Sequence, residues 1–207
     1  MAKDKYSKGS PYTPSLGDKF WHAVWLSGRS EKELEQDFHY AAMVGKLWRA
    51  EYLLNEKKVN IASGDNFAVR WAANGGHADM LALLFRHAGV DANARDGEAL
   101  IRAASLGHHA AAAVLLEHGA DPARQDFKSL RAAYERKDMA MLAQLLPAAP
   151  SARPLVAEWV AALRDPARPP EAGDAAQLRL FSRYLSDGVP PPDTGGAGPS
   201  LPNPPRR

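Results

Sequence analysis

Seven histidines and a recurring aspartate are the residues of this 207-residue chain best equipped for chemistry. Imidazoles bind metals and move protons. His77 and His108 lie 31 residues apart, as do His87 and His118, and His109 adjoins His108. A zinc site needs side chains that converge, usually cysteines or a helical H-E-x-x-H pair. The chain has no cysteine and no such pair, so no metal site is expected. Asp65, Asp96 and Asp126 recur at spacings of 31 and 30. Acid–base catalysis needs carboxylates that meet in one pocket, whereas residues repeated at a fixed interval spread along a line. These aspartates are therefore expected to cap a helix in each unit or brace the turn before it. Ser105 precedes His108 by three residues, but no G-x-S-x-G elbow surrounds it. Gly75-Gly76 leads into no Gly-Lys-Ser/Thr, so it is no phosphate loop. No converging constellation emerges: the sequence predicts a non-enzymatic chain with no catalytic residue and no cofactor.

The same interval organises the rest of the chain. Ala41-Ala42, Ala72-Ala73 and Ala103-Ala104 are followed by Gly45, Gly76 and Gly107, 31 residues apart. Eight residues after each glycine comes an apolar pair: Leu53-Leu54, Leu84-Phe85 and Leu115-Leu116. A fourth copy keeps Leu145-Leu146 but has Lys137 for the glycine and Tyr134 for the second alanine. Alanine favours helix and lets a neighbouring helix approach closely. The glycine ends that helix, because it adopts the left-handed conformation cheaply. A second helix then carries Ala111, Ala112, Leu115 and Leu116 on one face. One such hairpin cannot bury its apolar side, so copies must stack into an array. His87 and His118 are expected in the last turn of the second helices, where the helix dipole suits them.

The third copy, with Asp96, Leu100, Ala103-Ala104, Gly107-His108, Leu115-Leu116 and Gly119-Ala120-Asp121, resembles an ankyrin repeat. The second copy matches through Val69, Ala72-Ala73, Gly76-His77, Leu84 and Gly89-Val90-Asp91. The first matches through Phe38-His39, Ala41-Ala42, Gly45 and Leu53-Leu54. The fourth keeps Leu130, Ala133, Asp138, Leu142 and Leu145-Leu146. The resemblance covers about residues 36–148 and implies an all-α ankyrin-type solenoid with capping helices at both ends. The usual repeat is about 33 residues with a Thr-Pro-Leu-His signature; here no copy has Thr-Pro. Only the first copy has the histidine, His39, where the others place Arg70, Ile101 and Arg131. The missing residues fall between the Asp91 or Asp121 loop and the next helix, so short fingers are expected.

The resemblance also implies a concave groove, lined by the residue before each Ala-Ala pair and the two after it. The leading slot holds Tyr40, Trp71, Arg102 and Ala132; the trailing slots hold Met43-Val44, Asn74-Gly75, Ser105-Leu106 and Glu135-Arg136. Tyr, Trp and Arg are the types enriched in interface hot spots. The candidate partner-binding residues are Tyr40, Met43, Trp71, Asn74, Arg95, Arg102 and Leu106. Two placements are open for Tyr40 and Trp71: exposed anchors, or core between repeats. Arg70, Arg95, Arg102, Arg124 and Arg131 could form a basic stripe, but Asp65, Asp96, Asp126 and Glu135 share the same repeats. A nucleic-acid partner is therefore not expected.

The expected organisation is a disordered segment over 1–17, a solenoid over 18–188 and a proline-rich tail over 189–207. Within the solenoid come an N-cap (about 18–35), repeats (about 36–60, 61–91, 92–122 and 123–148) and a degenerate helical cap (151–188). At the front, Asp18 would cap a short helix with Phe20, Trp21, Val24 and Trp25, stopped at Gly28. Ser30-Glu31-Lys32-Glu33 is a capping-box pattern. At the back, Leu155, Val156, Trp159, Val160 and Leu163 form one helical stripe, ended by Asp165-Pro166. Asp174 would cap another helix bearing Leu178, Leu180, Phe181, Tyr184 and Leu185, stopped at Gly188. Seven prolines leave the tail too polar to order itself, though Pro199 and Pro202 fit a P-x-x-P spacing. Net charge is only +2. No apolar run approaches the ~20 residues that span a bilayer, and Met1–Tyr6 lacks the core of a signal peptide. A cytoplasmic location and no membrane partner follow. Early lysine and late arginine, alanine and proline fit a GC-rich genome, bacterial or phage. The implied function is rigid presentation of a groove to a protein partner by a chain that is monomeric when free. The alternative is a small inhibitor: an immunity factor, an enzyme inhibitor or a phage counter-defence protein.

Overall fold

Alanine pairs and leucine pairs alternate along the chain, and in the computed structural model each pair marks one helix of a hairpin. The structure describes residues 27–165 and 173–187, together with 15, 17, 24, 167 and 171. The first hairpin is α1 (Glu31–Met43) and α2 (Leu47–Asn55); the second is α3 (Ser63–Asn74) and α4 (Ala78–Leu84). The third is α5 (Ala94–Leu106) and α6 (His109–Glu117); the fourth is α7 (Arg124–Glu135) and α8 (Met139–Leu145). Two short 3₁₀ turns, Leu146–Ala148 and Pro150–Ala152, lead to α9 (Arg153–Leu163) and α10 (Asp174–Asp187). No strand occurs among the described residues. The fold is the all-helical ankyrin-type solenoid that the resemblance implies. None of the described helices is long and apolar enough to cross a membrane.

Local chemistry sets the helix ends. Ser30 opens α1 with a complete capping box: its hydroxyl accepts from the Glu33 N–H, and Glu33 accepts from the Ser30 N–H. Gly45, Gly76 and Gly107 turn the chain between helices with φ of +72°, +70° and +73°. In the fourth copy Lys137 takes the same left-handed place at φ +55°, without glycine's freedom. All six residues of the three alanine pairs are fully buried, with Leu53, Leu84 and Leu115 behind them. The first helices of successive hairpins pack more extensively on one another than the second helices do. Small side chains allow that approach, which shortens the first-helix side of the stack.

The short connections take a form the sequence does not announce. α3, α5 and α7 each begin through three consecutive residues in the left-handed region: Gly64-Asp65-Asn66, Arg95-Asp96-Gly97 and Gln125-Asp126-Phe127. Such backbone costs roughly 1–2 kcal/mol per non-glycine residue, so neighbouring groups must hold it. Arg70 donates to the Gly64 and Asp65 carbonyls (2.8 and 3.1 Å), and Arg131 to the Asp126 carbonyl (3.0 Å). Asn66 Oδ1 accepts from the Asp91 N–H in the loop that closes the same repeat (3.1 Å), and Asn93 Oδ1 likewise from the Asp121 N–H (2.8 Å). The expected capping role of Asp65, Asp96 and Asp126 is corrected here, since none makes a side-chain cap. They sit at the centre of the left-handed turns, and their carboxylates pair with Arg95 (3.6 Å), Arg124 (3.4 Å) and Arg131 (2.9 Å).

At the far end Tyr134, which replaces an alanine, lies flat on Trp159 at 4.3 Å, with Phe181 against both. The Tyr184 hydroxyl donates to the Ala149 carbonyl at 2.7 Å, and the ring is buried. Asp174 is the first residue of α10, and its carboxylate accepts from the Glu171 N–H at 2.8 Å. Asp18, Phe20, Trp21, Trp25, Gly188 and the proline-rich tail lie outside the described residues.

Candidate binding surface

The slot ahead of each alanine pair lies one residue from the core, on the outer edge of a first helix. Tyr40 there is 52% exposed, while Trp71 and Arg102 are half-buried. Trp71 is therefore neither free anchor nor core. Its ring stacks on Phe67 at 5.5 Å, and the Arg102 guanidinium covers it at 5.0 Å. Phe67 in turn lies 4.5 Å from the His39 ring. His39, Phe67, Trp71 and Arg102 thus form one continuous stacked row across α1, α3 and α5. Beside it Gln36, His39, Tyr40, Met43 and Phe67 line an open, mostly apolar hollow of about 250 Å³.

The row is held rigid from behind. Arg70, 5% exposed, donates to Glu98 at 2.7 Å. Glu98 also accepts from Arg102 Nε at 2.9 Å, and Arg102 Nη1 donates to Asn74 Oδ1 at 3.0 Å. Burial pushes the Glu98 carboxyl upward, but the hydrogen bonds and charges of Arg102 and Arg70 outweigh it and hold the group below its ordinary value. Burial also lowers His39, partly offset by the Glu35 charge and by a hydrogen bond to the Ser63 backbone; its Nε2 lies 2.8 Å from the Ser63 hydroxyl.

Of the residues singled out from sequence, the structure brings Tyr40, Met43, Trp71, Asn74 and Arg102 together along this row. Leu106, 47% exposed, lies one turn beyond Arg102 at the end of α5. Arg95 stands apart on the left-handed turn, paired with Asp65. Sequence reasoning passed over Gln36, Phe67 and Glu98, and took His39 only as a signature residue. Phe67 precedes Trp71 by four residues, and Glu98 precedes Arg102 by four. That spacing places each pair on one helix face and could have exposed both.

The arginines considered as a basic stripe do not form one. Arg70 is buried, and Arg70, Arg95, Arg102, Arg124 and Arg131 each pair with a carboxylate. The histidines divide by structural duty. His77 Nε2–H donates to the Met43 carbonyl and His108 Nε2–H to the Asn74 carbonyl, each at 3.1 Å and each reaching back one repeat. In the fourth copy Asp138 stands at this place and caps its own helix, accepting from the Met141 N–H at 3.0 Å. The dipole role expected of His87 is corrected: α4 ends at Leu84, so His87 lies beyond it. His118 follows α6 directly, and its ring stacks on Phe85 at 4.3 Å. Among the described residues no three His, Asp or Glu side chains gather to hold a metal ion.

No curated protein matches the chain. Residues 38–126 match the family model for ankyrin repeats in three copies. Over that span, where its helical hairpins stack in phase, the chain carries ankyrin repeats, and ankyrin repeats are protein–protein interaction modules.

Proposed function

We propose that the chain is a non-enzymatic binding module and that its partner seats on the first-helix face, against Tyr40, Met43, Trp71, Asn74, Arg102 and Leu106. Arg95, on the adjoining turn, reaches the rim of the same partner. The observation that carries this reading is the stacked row from His39 to Arg102, which presents apolar and cationic surface without being absorbed into the core. Its side chains are locked before binding by ring contacts and by the Arg70–Glu98–Arg102 pairs. Little ordering entropy then opposes association. Aromatic and arginine anchors of this kind carry most of the energy of a typical interface.

Site-specific photocrosslinking in the native cell tests it. A photoreactive amino acid at position 40 or 106 should yield one partner adduct. The same probe at the exposed positions 86 and 117, behind the second helices, should yield none. Adducts confined to 86 and 117 would place the interface on the opposite side.

A further inference from the structure

Resting on the binding face proposed above, we infer that its occupant is an extended, acidic protein segment, whose carboxylate is taken by Arg102 and whose neighbouring apolar side chain enters the Tyr40 hollow. Two observations converge on this chemistry. The first is charge. Arg70 and Arg102 both bond to Glu98, the one carboxylate that bonds to either of them among the described residues. Two guanidinium groups thus share a single negative charge, and the cluster retains one positive charge. Arg70 is buried and its donors reach Gly64, Asp65 and Glu98. Arg102 is the member within reach of a partner, with 33% of its side chain exposed. Its Nε, Nη1 and Nη2 each donate once within the protein. A guanidinium has five N–H groups, so two stay available for an incoming carboxylate.

The second observation is spacing. Phe67 walls the hollow and stands 5.5 Å from Trp71, which stands 5.0 Å from the guanidinium of Arg102. The hollow's wall and the cation are therefore no more than ~11 Å apart, the reach of about three residues of extended chain. Leu106 is one helical turn beyond Arg102 and exposed, which offers a second apolar contact past the carboxylate. The matching segment reads apolar, then acidic about three positions away, then apolar. A cation in its own fixed network costs no reorganisation when such a carboxylate docks.

The probe is a random peptide library selected against the full chain. Affinities of a selected fluorescent peptide and its Glu→Gln or Asp→Asn version are then read by anisotropy. Selected peptides should carry an acid about three residues from an aromatic or large aliphatic residue. Neutralising that acid should weaken binding about tenfold or more, as for a hydrogen bond between charged groups. Arg102→Gln should produce the same loss. The two changes together should cost little more than either alone, because they break one contact. Changing the peptide leaves the protein's fold untouched, so the result stands even if the Arg102 variant is unstable. Selected peptides that bind in a Tyr40-dependent way but show no acid preference would overturn the inference while leaving the binding face intact. Selected peptides indifferent to both Tyr40→Ala and Trp71→Ala would overturn the face itself. Tighter binding of a single-stranded oligonucleotide than of any selected peptide would overturn the inference in favour of nucleic acid.

Discussion

Gly76→Ala separates backbone strain from inter-repeat bracing, because a control glycine in the same chain carries only the first. Gly76 has φ +70°, and a Cβ there would meet His108 Nδ1 at 2.7 Å. Gly89 has φ +86°, but a Cβ there would meet nothing within 4 Å. Alanine in the left-handed region costs about 1–2 kcal/mol, of which reduced freedom in the unfolded chain offsets roughly 0.4–1. Gly89→Ala should therefore destabilise by about 1 kcal/mol. Gly76→Ala suffers the same loss and must also displace the His108 ring. That ring's bond to the Asn74 carbonyl is worth about 1 kcal/mol, and its tight packing adds a similar amount. The total should approach 3 kcal/mol. Gly107→Ala should fall between them, because its Cβ would meet the tip of Arg136 at 2.9 Å, a flexible end that can swing away. Urea unfolding followed by circular dichroism measures all three. Near the transition each kcal/mol corresponds to about 2–4 °C for a chain of this size. If Gly76→Ala and Gly89→Ala agree within roughly 0.5 kcal/mol, the histidine does not lock adjacent repeats.

Three further outcomes follow from the geometry. Arg70→Met should cost about 3 kcal/mol, because it strips two left-handed carbonyls of their donor and leaves Glu98 half-paired; chemical denaturation reads this directly. Lys137→Gly should stabilise the fold by about 1 kcal/mol, by relieving a left-handed lysine at φ +55°, with a matching rise in melting temperature. For His39 the folded pKa is depressed below the ordinary value of 6.5 by burial. The unfolded chain therefore binds the proton more readily, so stability is complete above about pH 6.5 and falls as pH drops through the folded value. His39→Gln should flatten that part of the profile, and equal slopes for the two proteins would remove His39 as its source.

Much of the hairpin stack was legible from periodicity. Alanine pairs, a helix-ending glycine and an apolar pair at constant spacing admit few arrangements, because each hairpin has an apolar face that only another copy can cover. The capping box at Ser30 and the apolar stripe of α9 were equally readable, since both are local. The left-handed turns were not: Asp96 reads as a cap until one sees that Arg95, Asp96 and Gly97 all have positive φ. That conformation survives because Gln125 of the following repeat donates to the Arg95 and Asp96 carbonyls, and periodicity carries no record of such a partner.

The candidate surface divides in the same way. Residue order alone determined that Tyr40, Trp71 and Arg102 occupy equivalent places in successive repeats, because helix phase follows from the positions of buried alanines. Only the tertiary structure decided what those places mean. Tyr40 stays open beside a hollow, while Trp71 is half covered by Phe67 on its own helix and by Arg102 from the next repeat. Exposure depends on which neighbour's side chain reaches across, and residues 28–31 positions apart in the chain become partners only when helices stack.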